Sequence, residues 1–232
     1  MSNQPNRLKR ISGDFIISIL ASVIYTFARQ IVVFPLLAAQ LTDADYGTLL
    51  TVAGLANVCT AMIGSSLNNI RLIEDSHYKE QGLLGDFNFL CLLGSGVSVV
   101  FAAVLRRMFA LSPLTAVLLG AYLIVSNLYQ YATAFFRLEL NFKRTFLCNT
   151  VVSAAYCAAA LVFATAELWP AVFLMGEGAG LLFVWKTTPF SSEPLSRTPL
   201  FSATAVSLLT YMGINLIGNL LTYADRMILY PI

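Results

Sequence analysis

The sequence predicts an all-α polytopic membrane protein, built as a six-helix amino-terminal lobe followed by the first helix of a second lobe. Three observations predict it. Seven long apolar runs fill most of the 232-residue chain, and the charged residues collect in the connections between them. The composition is 58% hydrophobic and only 11% charged, against roughly 25% charged in soluble domains. Finally, the basic residues divide unequally between alternate connections, as they do in helical membrane proteins. Helices are expected rather than strands, because each run is continuously apolar and a span in lipid must satisfy its own backbone hydrogen bonds.

The first run, Gly13 to Ala38, follows the basic cluster Arg7, Lys9 and Arg10. A secretory signal is rejected, because its core would be about 7 to 15 residues long with a small-residue cleavage site; this run is longer, contains Arg29 and ends in Gln40-Leu41-Thr42-Asp43. The second, Tyr46 to Leu67, carries Asn57 and is followed by Asn68, Asn69 and a charged connection holding Arg71, His77 and Lys79. Gly94, Gly96 and Ser98 in the third run, Phe87 to Leu105, are expected to let helices approach closely. The fourth, Leu114 to Ala134, contains Asn127 and Gln130; in the fifth, Phe146 to Ala164, Ala154 and Ala158 are expected at a helix interface. The sixth, Pro170 to Trp185, places Glu177 between Gly176 and Gly178, both expected to permit close packing. The seventh, Phe201 to Tyr223, has Asn215 and Asn219 four residues apart and therefore on one helical face.

With the amino terminus assigned to the cytoplasm, ten basic residues fall inside and only Arg106, Arg107 and Arg226 outside. One spurious or missed helix would reverse every later loop, so the bias supports both orientation and count. Cys59, Cys91, Cys148 and Cys157 lie inside runs without a CxxC pair, which suits buried small hydrophobes and excludes a metal site by spacing. His77 is the one histidine and has no partner for metal or nucleophile chemistry. No phosphate-binding glycine loop or nucleophile-base pair is present, so neither an enzyme nor a cofactor nor nucleic-acid binding is expected.

A weak internal repeat organises the chain further. Thr26 to Leu36 matches Thr222 to Ile232 at an offset of 196 residues, with the threonine, alanine and proline identical. The repeat divides the chain into a lobe over 1–198 and the start of a second over 199–232. An even number of crossings makes the copies parallel, a transporter arrangement with the substrate path between halves. The chain stops one residue after Pro231, inside the helix that corresponds to run one, and the expectation is a front portion of a longer protein.

The turn Leu41-Thr42-Asp43-Ala44-Asp45-Tyr46-Gly47 resembles the acidic tyrosine-glycine turn of polysaccharide flippases. Asn68-Asn69-Ile70-Arg71, Phe136 to Lys143 and Ala224-Asp225-Arg226 are similar to patterns at corresponding places in that family. The likeness is to the Wzx-like O-antigen exporters of the multidrug/oligosaccharidyl-lipid/polysaccharide superfamily. It implies movement of an undecaprenyl-pyrophosphate-linked glycan between leaflets of a bacterial inner membrane, with membrane lipid and either a second-lobe polypeptide or another copy of the chain as partners. Members have twelve or more helices, and this chain departs from them in lacking most of the second lobe.

Within that frame the expected path residues are Arg29, Asn57, Asn215, Asn219, Asp225 and Arg226, with Glu177 as a coupling carboxylate. A charge at membrane depth costs about 2.5 to 3.5 kcal/mol on the insertion scale, so Arg29 is expected to face a cavity or a partner. Its guanidinium suits a pyrophosphate or an acidic sugar, and an ion pair or a snorkelling side chain is the structural alternative. Asp225 occupies the repeat position of Arg29, which suggests a gate between lobes. A cation or drug antiporter of the same superfamily, using Glu177 or Asp225, is the rival function, and an accessory membrane protein or a nonfunctional fragment is the third.

Overall fold

The computed structural model describes residues 4–229, with the side chains of all of these except residues 4–12, 15, 191, 220 and 222–229. The described residues are helical with short connections and contain no strand. Helix α1 runs over Gln4–Phe27 and passes through a π-helical turn, Ala28–Val33, into Phe34–Gln40. Helix α2 is Asp43–Gln81, with its own π-turn at Ala61–Ser65. Helix α3 is Gly85–Met108, α4 Pro113–Leu138, α5 Phe142–Phe163, α6 Trp169–Thr187 and α7 Phe201–Leu229.

Six of these helices are long and apolar enough to cross a membrane, and the chain is an all-α multi-pass membrane protein. The exception is α6, which corrects the expectation of seven spans by apolarity. Its 19 residues open with Trp169-Pro170 and include Glu177, Lys186 and three glycines. It packs chiefly on α4 and α5, while Met175, Leu182 and Trp185 on its other face are exposed. It runs the length of α4, with Glu167 O accepting from Thr115 Oγ1 at one end and Phe190 packed on Tyr131 and Phe135 at the other. Its polar Glu177 lies on the face turned to protein, where a charged group in a membrane helix finds partners.

The stretch 68–81, read as a charged connection, is instead a continuation of α2. Arg71, Asp75 and Lys79 pair at successive intervals of four along it, and Gly82 ends it at φ 69°, a conformation that favours glycine. The connections assigned to one side do meet. At the basic end of the bundle Asn88 donates to Pro194 O, Thr198 N donates to Asp86 Oδ1, and Arg144 donates to Thr187 O.

Small residues explain the closest approaches, with corrections. A Cβ on Gly176 would lie 2.3 Å from the Tyr156 ring, and one on Gly180 would lie 2.6 Å from both Tyr129 and Val152, whereas Gly178 faces open space. A Cβ on Gly94 would meet Ile63 at 2.4 Å, whereas Gly96 again has nothing near it. Ala154 and Ala158 are exposed, and their neighbours Ala159 and Ala160 take the buried face. A step of one or two residues, about 100° to 200° around the helix, distinguishes these positions, and only the packing fixes which face points inward. Cys59, Cys91 and Cys148 are buried as expected, with Cys157 half-buried.

The two π-turns have local causes. In α1 the turn leads into Pro35, whose ring and missing N–H disturb the preceding ladder. In α2 the Gly64 N–H is drawn to Asn127 Oδ1 at 3.0 Å, while Asn215 of α7 donates to Ala61 O at 3.4 Å and to Ser66 Oγ at 2.7 Å. Side chains from α4 and α7 thus take up groups at this turn, which is where wide helical turns commonly serve a site.

Candidate functional site

Two cavities with polar side chains in their walls lie between the helices, the first presenting mainly polar surface and the second mainly apolar surface. The first, about 250 Å³, is walled by Thr26, Arg29 and Gln30 of α1, by Asn57 of α2, by Gln130 of α4 and by Asn219 of α7. The second, about 390 Å³, extends along Ser22 of α1 and Asn149 of α5 to Thr133 and Arg137 at the basic end. Tyr25, Thr26 and Gln130 line both. Together they form a polar path from the basic end to a point past the middle of α1.

The π-turn carries Arg29, and its guanidinium is held from several sides. Nη2 donates to Asn57 Oδ1 at 2.9 Å, and Nη1 reaches Tyr25 OH at 3.5 Å. The charge sits 5.1 Å from the centre of the Phe173 ring, close enough for a cation-π attraction. Nε is buried without a hydrogen-bond partner. These contacts fix the plane of the guanidinium and leave one edge unsatisfied.

Glu177 stands behind Tyr25 on α6, only 2% exposed. Its Oε1 accepts from Tyr156 OH at 3.0 Å and from Tyr25 OH at 3.4 Å, and Oε2 is buried without a hydrogen-bond partner. Among the described residues no salt bridge joins Arg29 to Glu177; the Tyr25 hydroxyl stands between them. An arginine in the cavity wall and a buried carboxylate are therefore linked through a tyrosine at the junction of the two cavities.

Of the residues expected on the path, Arg29, Asn57 and Asn219 line the first cavity and Glu177 the second. Asn215 lines neither and instead fastens α7 to the π-turn of α2. Asp225 and Arg226 lie on the backbone of α7, but their side chains fall outside the described residues, as does the repeat segment at 230–232. The other amides divide in the same way. Asn127 is buried, donating to Ser98 Oγ at 2.7 Å, and Asn68 donates to Gln130 O at 2.6 Å while accepting from Arg137 at 2.8 Å. Gln130 faces the cavities.

Arg71 is the polar residue whose role sequence reasoning missed. It is 1% exposed and forms a two-pronged pair with Glu193 in the connection before α7. Tyr131 OH accepts from it at 2.7 Å, and the Phe135 ring centre lies 4.2 Å away. Nearby, Tyr78 donates to Asp86 Oδ2 at 2.9 Å and is hydrogen-bonded to Thr204 of α7. These contacts tie the connection over 188–200 to the ends of α2, α3 and α4. The spacing of Arg71, Asp75 and Lys79 by fours was the available signal for helix, but no local pattern pairs Arg71 with a residue 122 positions away.

Among the described residues no cluster of His, Cys, Asp and Glu is arranged to hold a metal ion. What the cavities offer is hydrogen bonding to a polar guest, with Arg29 in the wall of the first and Arg137 and Glu177 in the wall of the second. No protein-family model matches the chain, and no curated protein or solved structure matches it either.

Proposed function

We propose that this chain is the amino-terminal lobe of a flippase that moves an undecaprenyl-pyrophosphate-linked oligosaccharide across the bacterial inner membrane, with its amino terminus in the cytoplasm. The supporting observation is the polar path between apolar helices, from Arg137 at the basic end to Arg29, Asn57 and Asn219. A glycan crossing a bilayer loses its hydration, and hydroxyls and amides along the path replace those hydrogen bonds. Ser22, Thr26, Gln130 and Asn149 are spaced along it for this work. A second lobe, from another polypeptide or another copy of this chain, would close the path on the side of α1 and α7. Arg29 and Asp225 would then form the gate that the repeat suggests. Reversal of both charges should restore the transport that either single reversal removes.

Loss of surface polysaccharide on deletion, restored by the wild-type gene and not by Arg29→Ala, tests the main reading. Unchanged polysaccharide after deletion would overturn it. A proton- or cation-coupled antiporter is the second reading, and the buried Glu177 Oε2 without a partner favours it. Resistance to cationic drugs on expression, lost in Glu177→Gln, would select that reading over the first.

A further inference from the structure

We propose that the first cavity is a subsite for a single carboxylate-bearing sugar residue of the carried glycan, rather than for its diphosphate. The inference rests on the flippase reading and specifies its substrate. Four features of the cavity carry it.

Arg29 is the one charged side chain lining the cavity among the described residues. A diphosphate carries at least two negative charges, and a single guanidinium at this depth would leave charge uncompensated. A uronic-type sugar carries one. The guanidinium is not fully used: Asn57 accepts from Nη2 and Tyr25 from Nη1, each nitrogen keeping a second hydrogen, while Nε is buried without a partner. A carboxylate in the cavity would accept from the remaining Nη hydrogens, the charge-assisted bond that arginine forms with carboxylates.

The rest of the wall suits a sugar ring. Gln30, Asn57, Gln130 and Asn219 present amides, with the Thr60 and Ser65 hydroxyls beside them. Such groups both donate and accept, as sugar hydroxyls do, and none repels an anion. Tyr25 and Phe34 add aromatic surface for the apolar face of a pyranose. The volume, about 250 Å³, lies below the roughly 300 to 1,000 Å³ of pockets that enclose drug-sized ligands. One ring fits, and the remaining units of an oligosaccharide would extend into the second cavity toward Arg137.

Glu177 does not oppose the assignment, because it lines the second cavity and not the first, and its Oε1 accepts from Tyr25 and Tyr156.

The test uses the purified full chain in nanodiscs, with methyl glucuronide, its neutral methyl ester, methyl glucoside and inorganic pyrophosphate as probes. Binding is read by saturation-transfer NMR. The expected result is a preference of about tenfold or more for the glucuronide over both neutral sugars, the size of one charge-assisted hydrogen-bonded pair. Arg29→Gln should abolish the preference, and Asn219→Leu should weaken all three sugars together. The ester comparison needs no variant, so misfolding of Arg29→Gln would not remove the test. Equal binding of acid and ester, binding of pyrophosphate alone, or binding of none would overturn the proposal. Loss of surface polysaccharide on deletion without a glucuronide preference would reject this subsite and keep the flippase. A glucuronide preference with normal surface polysaccharide would do the reverse.

Discussion

Three glycines on α6 receive the same substitution and should give opposite results. A methyl added at Gly176 would sit 2.3, 2.5 and 2.7 Å from three carbons of the Tyr156 ring, where nonbonded carbons settle at about 3.5 to 4.0 Å. Something must therefore move by about 1 Å or more. Tyr156 has little freedom to do so, being fully buried with its ring against those of Phe173 and Tyr25 and its hydroxyl bonded to Glu177. Overpacking costs about 1 to 3 kcal/mol, and loss of the Tyr156 to Glu177 bond adds about 1 kcal/mol. Gly176→Ala should then lose about 2 to 4 kcal/mol, or roughly 5 to 15 °C in Tm for a chain of this size. Gly180→Ala should lose less, because one of its two contacts at 2.6 Å is a terminal methyl of Val152. Gly178→Ala meets no atom within 4 Å and should be neutral or gain up to about 1 kcal/mol through helix propensity. Thermal unfolding of the purified variants in one detergent, followed by fluorescence-detected size exclusion, provides the comparison. If Gly178→Ala falls as far as Gly176→Ala, or if Gly176→Ala is silent, the packing argument for α6 is wrong.

Removing Glu193 leaves the Arg71 guanidinium buried with Asp75, at 3.5 Å, as its one remaining ionic partner among the described residues. Glu193→Ala should cost about 2 to 4 kcal/mol, while the double change Arg71→Met with Glu193→Met should recover a large part of it; a double-mutant cycle with no coupling would refute the pairing. Asn127→Leu leaves the Gly64 N–H without its acceptor and should destabilise by about 1 to 3 kcal/mol. The check is thermal unfolding beside Asn69→Leu, a change at a half-buried position expected to be nearly silent. Tyr156→Phe removes the shorter of the two hydroxyl bonds to Glu177 and should cost about 1 to 3 kcal/mol. Pairing it with Glu177→Leu in a cycle would give additive losses if the two side chains were independent. Maleimide should leave Cys59, Cys91 and Cys148 unmodified in the folded protein and react after denaturation; rapid native labelling of any of them would place that helix face wrongly.

Much of the architecture was legible because membrane helices announce themselves by composition. All seven apolar runs form helices, and the basic bias groups connections that do meet in space, as Asp86 with Thr198 and Asn88 with Pro194 show. The same signal understated α2, because Arg71 to Lys79 reads as a loop when charge alone marks boundaries. Intrahelical pairing and the Gly82 cap keep that stretch helical. It also counted α6 as a seventh span, whereas that helix, with Glu177, Lys186 and three glycines, is not among the six long and apolar enough to cross.

The candidate site was legible in part. Arg29 was expected to face a cavity or a partner because a lone charge in an apolar run needs company, and it lines a cavity. Asn57, Asn215 and Asn219 carried equal weight in the sequence, since an amide in a membrane helix either faces a path or clamps a neighbour. The structure separates them: Asn57 and Asn219 line the cavity, and Asn215 grips Ser66. Gln130, at the junction of both cavities, carried no mark to distinguish it from Asn127, which is buried in the packing.

By itself the sequence determined the helical class and the six helices apolar enough to cross, because hydrocarbon requires long apolar helices, and its charge bias grouped connections that meet. Only the tertiary structure decided which side of each helix faces a neighbour, a cavity or lipid. A single run fixes composition along its axis but leaves rotation about that axis open. Rotation is set by partners distant in sequence, as Gly176 meets Tyr156, Gly64 meets Asn127 and Arg71 meets Glu193.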